Sequence, residues 1–147
     1  MADFFEDFTE TFVTTSRGEI RVRCGGTGFP ILLLHGHPRT HTTWFKVAPQ
    51  LARNFTVVCA DLTGFGRSYQ PETIAASSGK AKAAALHECM LELEYDRFGV
   101  AGHDRGSYRA FRLAMDFPES VAGLVVMDGI PIYEVLNRAD WRFAQNW

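Results

Sequence analysis

The sequence has no long apolar run. Its 147 residues contain no apolar stretch near the roughly 18 residues that a membrane span needs, and the longest run covers residues 30–34. Residues 1–8 are acidic, whereas an export signal starts basic and continues apolar. We therefore expect a cytoplasmic protein that has no membrane partner.

The sequence also has few cysteines and little net charge. Cys24, Cys59 and Cys89 are odd in number and lie among apolar neighbours, which predicts reduced structural thiols without a disulfide framework. Fifteen Lys and Arg against seventeen Asp and Glu give a net charge of −2, which argues against a nucleic-acid partner. With 46% apolar and 22% charged residues, the composition is that of a globular domain.

The apolar pattern predicts an α/β fold. Residues 10–24 alternate loosely around a turn and predict an antiparallel hairpin, which leads into repeated strand and helix units. Uninterrupted apolar runs are typical of strands covered on both faces, so we expect a mainly parallel sheet flanked by helices. The predicted strands are 31–34, 56–60, 98–101 and 123–127, and the predicted helices are 43–52, 77–95 and 106–117.

Chemistry in such a sheet is expected where parallel strands end, because ligands collect at their carboxyl edge. Four segments that follow apolar runs are therefore of interest: 35–38, 61–68, 102–106 and 128–129.

Segment 102–106 has the pattern of a nucleophile elbow. Gly102 and Gly106 flank Asp104 at minus and plus two, which permits an abrupt turn from strand to helix with the central side chain exposed. A central Asp predicts carboxylate attack on carbon and an ester intermediate. The alternative is that Asp104 caps the following helix. Ser107 is not a competing nucleophile, because its own neighbours at these positions are Arg105 and Arg109.

Segment 35–38, His-Gly-His-Pro, is a candidate for the second half of an oxyanion site. We expect the backbone amides of His37 and Arg105 to face the developing negative charge together. The alternative is simply a tight turn. His35, His37 and the nearby His41 also resemble metal ligands, but no carboxylate lies close to them in sequence, so no metal and no other cofactor is expected.

Taken in order, the segments 35–38, 61–68 and 102–106 resemble the α/β-hydrolase superfamily. Within it they are most similar to the fluoroacetate (haloacetate) dehalogenases, and the resemblance runs from about residue 12 to the last residue. The discriminating detail is Arg105, because haloalkane dehalogenases and epoxide hydrolases usually carry Trp there. The resemblance implies a small-molecule substrate with a carboxylate, which the fork of Arg105 can hold in two hydrogen bonds.

The resemblance also implies the mechanism. Asp104 would displace halide from the α-carbon, and Asp128 would orient a histidine that activates water to hydrolyse the aspartyl ester. Asp128 followed by Gly129 is also a common turn pair, which is the alternative interpretation of that residue.

One departure from the family concerns the substrate carboxylate. The dehalogenases usually carry a second arginine three residues beyond Arg105, where this chain has Tyr108. Tyr108 is left to donate one hydrogen bond to the substrate. Arg109 is one residue further, or about 100° of helix rotation, so we expect it to point elsewhere.

The second departure is the missing base. None of the five histidines, which are His35, His37, His41, His87 and His103, lies where the family places its base. Strand alternation predicts that His103 faces away from Asp104 into the packing. We therefore interpret residues 1–132 as the N-terminal part of the hydrolase core and 133–147 as the start of a cap, and expect pairing with a C-terminal segment or as a homodimer.

Two alternatives to a haloacetate dehalogenase stay open. The first is an epoxide hydrolase or another α/β-hydrolase. The second is a catalytically silent binding or scaffold module that lacks the general base.

Overall fold

A computed structural model describes residues 5–130 together with the single positions 133 and 137. The predicted boundary at residue 132 and the predicted cap segment 133–147 lie outside the described residues, apart from those two positions. Within the described part of the chain, no helix is both long and apolar enough to cross a membrane.

The chain begins with the expected hairpin. Strand β1, Thr9–Thr15, pairs antiparallel with β2, Gly18–Gly25, and β2 continues antiparallel onto β4, Phe55–Ala60.

The remaining strands are parallel. They are β3, Phe29–Leu34, β5, Phe98–His103, and β6, Val121–Met127, and the six-stranded order is β1-β2-β4-β3-β5-β6. Strand β3 pairs with β4 and β5, and β5 pairs with β6. The carboxyl ends of β3, β4, β5 and β6 therefore meet at one edge. The predicted α/β architecture with a mainly parallel sheet is confirmed.

Helical segments lie on both faces of the sheet, although the edge strand β6 is largely exposed within the described residues. Helix α2, Gly79–Glu92, and helix α3, Arg105–Asp116, lie on one face. Their buried side chains pack there against Leu32, Leu34 and Val58. On the other face, Trp44 and Ala48 pack with Phe5 and Phe8 against Leu33, Val57 and Cys59. Neighbouring strand residues thus serve opposite layers, as expected for a sheet covered twice.

The single helix predicted over 43–52 is wrong. The structure has a 3₁₀ turn, His41–Trp44, capped by Thr40, and a separate short helix α1, Ala48–Leu51. Pro49 lies in the first turn of α1. Proline has no backbone N–H and its ring clashes with the carbonyl four residues earlier, so a helix can start at Pro49 but cannot pass through it.

Candidate active site

The elbow forms between β5 and α3. Asp104 has φ of +51°, a left-handed conformation that is rare outside glycine. A Cβ placed on Gly102 would lie 2.2 Å from the carbonyl oxygen of Gly106, and one on Gly106 would lie 2.3 Å from that of Leu34. Both positions therefore require glycine, for the steric reason that the sequence pattern indicated.

The carboxylate of Asp104 is held by backbone amides. The amide of His37 donates to Oδ2 at 2.7 Å, and the amide of Arg105 also hydrogen-bonds the carboxyl group. The His37 hydrogen bond is the main reason that the pKa of Asp104 lies below its ordinary value, with the Arg105 amide and the positive charges of His103 and Arg105 adding to it against partial burial. The side chain of Asp104 makes no helix-capping hydrogen bond, which removes the capping alternative.

Ser107 has a supporting contact. Its hydroxyl donates to the carbonyl oxygen of Asp104 at 2.5 Å, and its side chain is buried. The hydroxyl is thus committed to the backbone of the elbow.

Asp128 follows β6 and lies beside the elbow. Its carboxylate is 86% exposed, and Oδ2 lies 3.3 Å from Nε2 of His103. The prediction that His103 faces into the packing is therefore confirmed for Nδ1, which is buried, but wrong for Nε2, which meets the exposed carboxylate of Asp128. His103 is paired in register with Met127 of β6, so the end of β5 brings the imidazole next to the residue that follows Met127.

The other histidines are engaged in different contacts. His35 is fully buried, accepts from the amide of Leu62 at Nε2, and contacts the carbonyl oxygen of Gly36 with Nδ1. Burial lowers the pKa of His35, and both contacts suit its neutral form. His87 stacks on Phe117 with ring centroids 3.9 Å apart.

A buried polar network lies behind the His37 loop, centred on Asp61 at the end of β4. Oδ1 of Asp61 accepts from the backbone amide and from Nδ1 of His41, each at 2.8 Å. Oδ2 accepts from the Arg67 amide at 3.1 Å and lies 3.4 Å from Nη1 of Arg21. Arg21 in turn pairs with Glu10 of β1. The sequence marked segment 61–68 but not these partners, which come from distant parts of the chain.

Basic side chains gather on the other side of the elbow. Lys82, Arg105 and Arg109 line a cavity of about 20 Å³, together with Thr63 and the apolar walls Leu62 and Phe65. Phe65 also makes an edge-to-face contact with the ring of His37, with centroids 5.7 Å apart. The cavity therefore lies next to the loop that holds Asp104.

The two predicted substrate-binding residues, Arg105 and Tyr108, line different cavities. Tyr108 faces a larger one, of about 350 Å³, between α3 and the end of β6, with Phe111 and Val126 among its walls. Arg109 lines both cavities, this one with Tyr108 and the smaller one with Arg105.

The expectation that Arg109 points away from the substrate carboxylate stays a prediction, although Arg109 does line the smaller cavity with Arg105. Residues four apart on a helix share a face, so Arg109 adjoins Arg105 even though it is rotated from position 108. This spacing could have been found in the sequence. Lys82 comes from another helix, and nothing local in the sequence signals its approach.

Metal-ligand chemistry has no support within residues 5–130, since these contain no cluster of three or more His, Cys, Asp or Glu side chains able to hold an ion. His41 is bound to Asp61 instead.

The fold agrees with comparison against known proteins. The sequence profile of the α/β hydrolase fold matches residues 30–146. The chain belongs to the α/β-hydrolase family. A solved structure from Nostoc sp PCC 7120, provisionally assigned as an α/β hydrolase, superposes with a TM-score of 0.92 at 42% identity, covering 96% of this chain and 50% of that one.

Two curated relatives of this α/β-hydrolase chain have named activities. A fluoroacetate dehalogenase from Burkholderia sp is 42% identical over 141 residues, which cover 92% of this chain and 46% of the relative. A soluble epoxide hydrolase from Corynebacterium sp. (strain C12) is 41% identical over 106 residues, which cover 72% of this chain and 36% of the relative. The chain thus spans less than half the length of either, as expected of the N-terminal half of an α/β-hydrolase.

Proposed function

We propose that the intact protein is a hydrolase that uses Asp104 as its nucleophile, and that its reaction is the hydrolytic dehalogenation of a short 2-haloacid. The observation that carries this proposal is the ionised Asp104 carboxylate, presented at a strained elbow and oriented through Oδ2 by the His37 amide.

The first step is displacement at carbon. With Oδ2 engaged by the His37 amide, Oδ1 attacks the α-carbon of the haloacid. The new C–O bond forms as the carbon–halogen bond breaks, and halide leaves with the electron pair. The product is an ester between Asp104 and the 2-hydroxyacid carbon skeleton.

The second step is hydrolysis of this ester. Water attacks the carboxyl carbon of Asp104, and negative charge develops on Oδ2. The amides of His37 and Arg105 already hydrogen-bond this carboxyl group, so they are placed to stabilise that charge. The predicted oxyanion donors thus act on the nucleophile's own oxygen. Collapse releases the 2-hydroxyacid and regenerates the carboxylate.

The water that hydrolyses the ester needs a general base to take its proton, and Asp128 would orient that base. All five histidines of the sequence lie within the described residues, and His103 is the one bonded to Asp128. We propose that the base is a histidine from the remainder of the full-length protein, and that it approaches the exposed carboxylate of Asp128. Arg105 would hold the substrate carboxylate, and Tyr108 is proposed to contact the substrate from the larger cavity.

Replacement of the nucleophile tests the proposal. Asp104→Asn in the full-length protein is expected to abolish halide release from 2-haloacids, because an amide is a poor nucleophile. Asp116→Asn is the matched control, since Asp116 lies at the end of α3 and pairs with Arg112. Halide release by Asp104→Asn at the wild-type rate would sink the assignment.

Isotope labelling tests the ester directly. After repeated turnover in heavy-oxygen water, label is expected in the Asp104 side chain, because water attacks its carboxyl carbon. If label appeared only in the product, water would attack the substrate directly and the ester route would be excluded.

Epoxide hydrolysis is the second candidate, favoured by the likeness to the Corynebacterium enzyme. The same carboxylate could open an epoxide ring. The basic residues around Arg105 favour an acid over a neutral epoxide. Turnover of a neutral epoxide without halide release from any 2-haloacid would support this candidate instead.

A further inference from the structure

The cavity beside the elbow holds an unbalanced charge. Lys82, Arg105 and Arg109 line it, and among the described residues no Asp or Glu forms an ion pair with any of the three. Other arginines of this chain are paired, such as Arg21 with Glu10 and Arg112 with Asp116. The cavity therefore lacks the anion that basic clusters elsewhere in the molecule possess.

The positive side chains of this cavity repel one another, and no described anion offsets the repulsion. Desolvation lowers the pKa of Lys82, and the charges of Arg109 and Arg105 lower it further. Desolvation and Arg105 likewise lower the pKa of Arg109. Arg109 also reaches Gly79 at the start of α2, where the helix contributes partial positive charge. A bound anion would relieve all of these repulsions.

A second, independent observation concerns Thr63. Its side chain is 2% exposed and lines the cavity, and its hydroxyl has no hydrogen-bond partner within the described structure. A buried hydroxyl without a partner costs free energy, and such groups in proteins generally have one. An acceptor in the cavity would satisfy it.

The size of the cavity limits the occupant. A volume of about 20 Å³ is near that of a single small polar group, since one water needs roughly 10–15 Å³. The apolar walls Leu62 and Phe65 leave the positive side chains and Thr63 as polar contacts. A planar carboxylate group can accept from these side chains and is smaller than a tetrahedral anion such as phosphate, so the small volume favours the carboxylate.

We propose that Lys82, Arg109 and Thr63 complete, with Arg105, a subsite for the carboxylate of a small organic acid. That this acid is the substrate rests on the function proposed above. Lys82 on α2 and Arg109 on the next turn of α3 supply the positive charge that Tyr108 does not. Arg105 directly follows Asp104, and Phe65 contacts the ring of His37, so the subsite adjoins the elbow that carries the proposed nucleophile.

Binding of a non-reacting acid tests the subsite without any turnover. Acetate is titrated into the full-length protein by calorimetry, with acetamide as the neutral probe of the same shape and inorganic phosphate as the larger anion. Wild-type protein is expected to bind acetate at least about tenfold more tightly than either, because charge-assisted hydrogen bonds are the stronger kind. Equal binding of acetate and acetamide overturns the proposal.

Matched substitutions locate the site. Lys82→Gln and Arg109→Gln are each expected to weaken acetate binding about tenfold. Lys46→Gln and Arg97→Gln each remove one positive charge from residues that line neither cavity, and are expected to change acetate binding less than about twofold. Loss of binding in all four variants would indicate only a general field and would overturn the site.

Thr63 provides a further check. Thr63→Val keeps the shape but removes the hydroxyl, and is expected to weaken acetate binding about threefold, with Thr63→Ser restoring it. Unchanged binding in Thr63→Val removes Thr63 from the subsite. Thermal unfolding of each variant is measured beside the titration, and the charge variants decide the proposal if Thr63→Val does not fold.

Kinetics separates this proposal from the one on which it rests. With a 2-haloacid, Lys82→Gln and Arg109→Gln are expected to raise KM about tenfold with less change in kcat, whereas Asp104→Asn loses kcat and keeps acetate binding. Charge-dependent acetate binding without any halide release would overturn the dehalogenase and leave the subsite standing. Halide release that is indifferent to both variants would overturn the subsite alone.

Discussion

Asp61 follows strand β4 and Asp104 follows strand β5, so both residues lie at the carboxyl edge of the sheet, but their surroundings differ. Asp61 is fully buried, and both of its oxygens are engaged by His41, the Arg67 amide and Arg21. Asp104 is half-buried, and its carboxyl group is held only by two backbone amides within the described residues, with the His37 amide donating to Oδ2. The pKa of each carboxyl group is lowered.

The difference shows that a lowered carboxyl pKa accompanies two kinds of environment in this molecule, a buried polar network and an accessible surface site. Asp61 uses its charge to tie β2, the His41 turn and the loop after β4 together. Asp104 keeps its charge available at a surface where a ligand can reach it. The number of hydrogen-bond partners on the carboxylate oxygens, more than the direction of the pKa shift, distinguishes Asp61 from Asp104.

Replacement of Asp61 is expected to have the largest effect on stability. Asp61→Asn presents an NH₂ group to atoms that are themselves donors, and removes one of the two carboxylates that pair with the buried Arg21. We expect a loss of about 3–5 kcal/mol in the free energy of unfolding, measured by urea denaturation of the full-length protein.

Asp104→Asn is the matched comparison for that experiment. Its partners are two amides at a half-exposed site, so we expect a change in unfolding free energy below about 1 kcal/mol. Equal losses for the two variants would contradict the distinction between them.

Acid should remove the contribution that the ionised carboxylate of Asp61 makes to stability. Burial alone would raise the pKa of Asp61, but hydrogen bonds from His41 and from the Arg67 amide outweigh it and lower the pKa from 3.8 to about 2. Because the folded-state pKa lies below that of the unfolded chain, the ionised form contributes stability that is complete above about pH 4. That contribution, about 2 kcal/mol, is lost as pH falls toward 2.

The measurement is unfolding free energy between pH 5 and about 2 for wild type and Asp61→Asn. The slope in this window is expected to be shallower in the variant. An identical slope would show that other carboxylates control the acid sensitivity.

The smallest effect is expected for the side chain of Arg67. Its amide serves Asp61, whereas its side chain is 66% exposed and pairs with Glu10. Arg67→Ala keeps the amide and removes a solvent-exposed ion pair and the contact of the guanidinium with the Phe12 ring, so we expect a loss of at most about 1 kcal/mol in the same denaturation assay. A loss near that of Asp61→Asn would mean that the guanidinium, and not the amide, holds the network together.

Much of the fold could be predicted because its signals are local. The apolar runs that became β3 and β4, the hairpin and the elbow glycines each reflect a constraint within a few residues. The predicted helix over 43–52 was wrong at Pro49, where a local signal was present but was not applied.

The polar partners could not be predicted in the same way. Arg21, His41 and Asp61 come from three elements, and Lys82 meets Arg105 only because α2 packs beside α3. The contact of His103 with Asp128 depends on strand register between β5 and β6. Such contacts are properties of packing, which no short window of sequence contains. The roles assigned to Asp104, Asp128, Arg105, Tyr108 and His37 stay predictions.

At position 104, the backbone conformation favours glycine, whereas the proposed nucleophile requires aspartate. A non-glycine residue at φ of +51° costs about 1–3 kcal/mol, and glycine would avoid that cost. A library of variants selected only for heat resistance should therefore enrich glycine at position 104, whereas one selected for turnover should retain aspartate. The position at which those two selections diverge most would mark the reactive centre without any knowledge of the substrate.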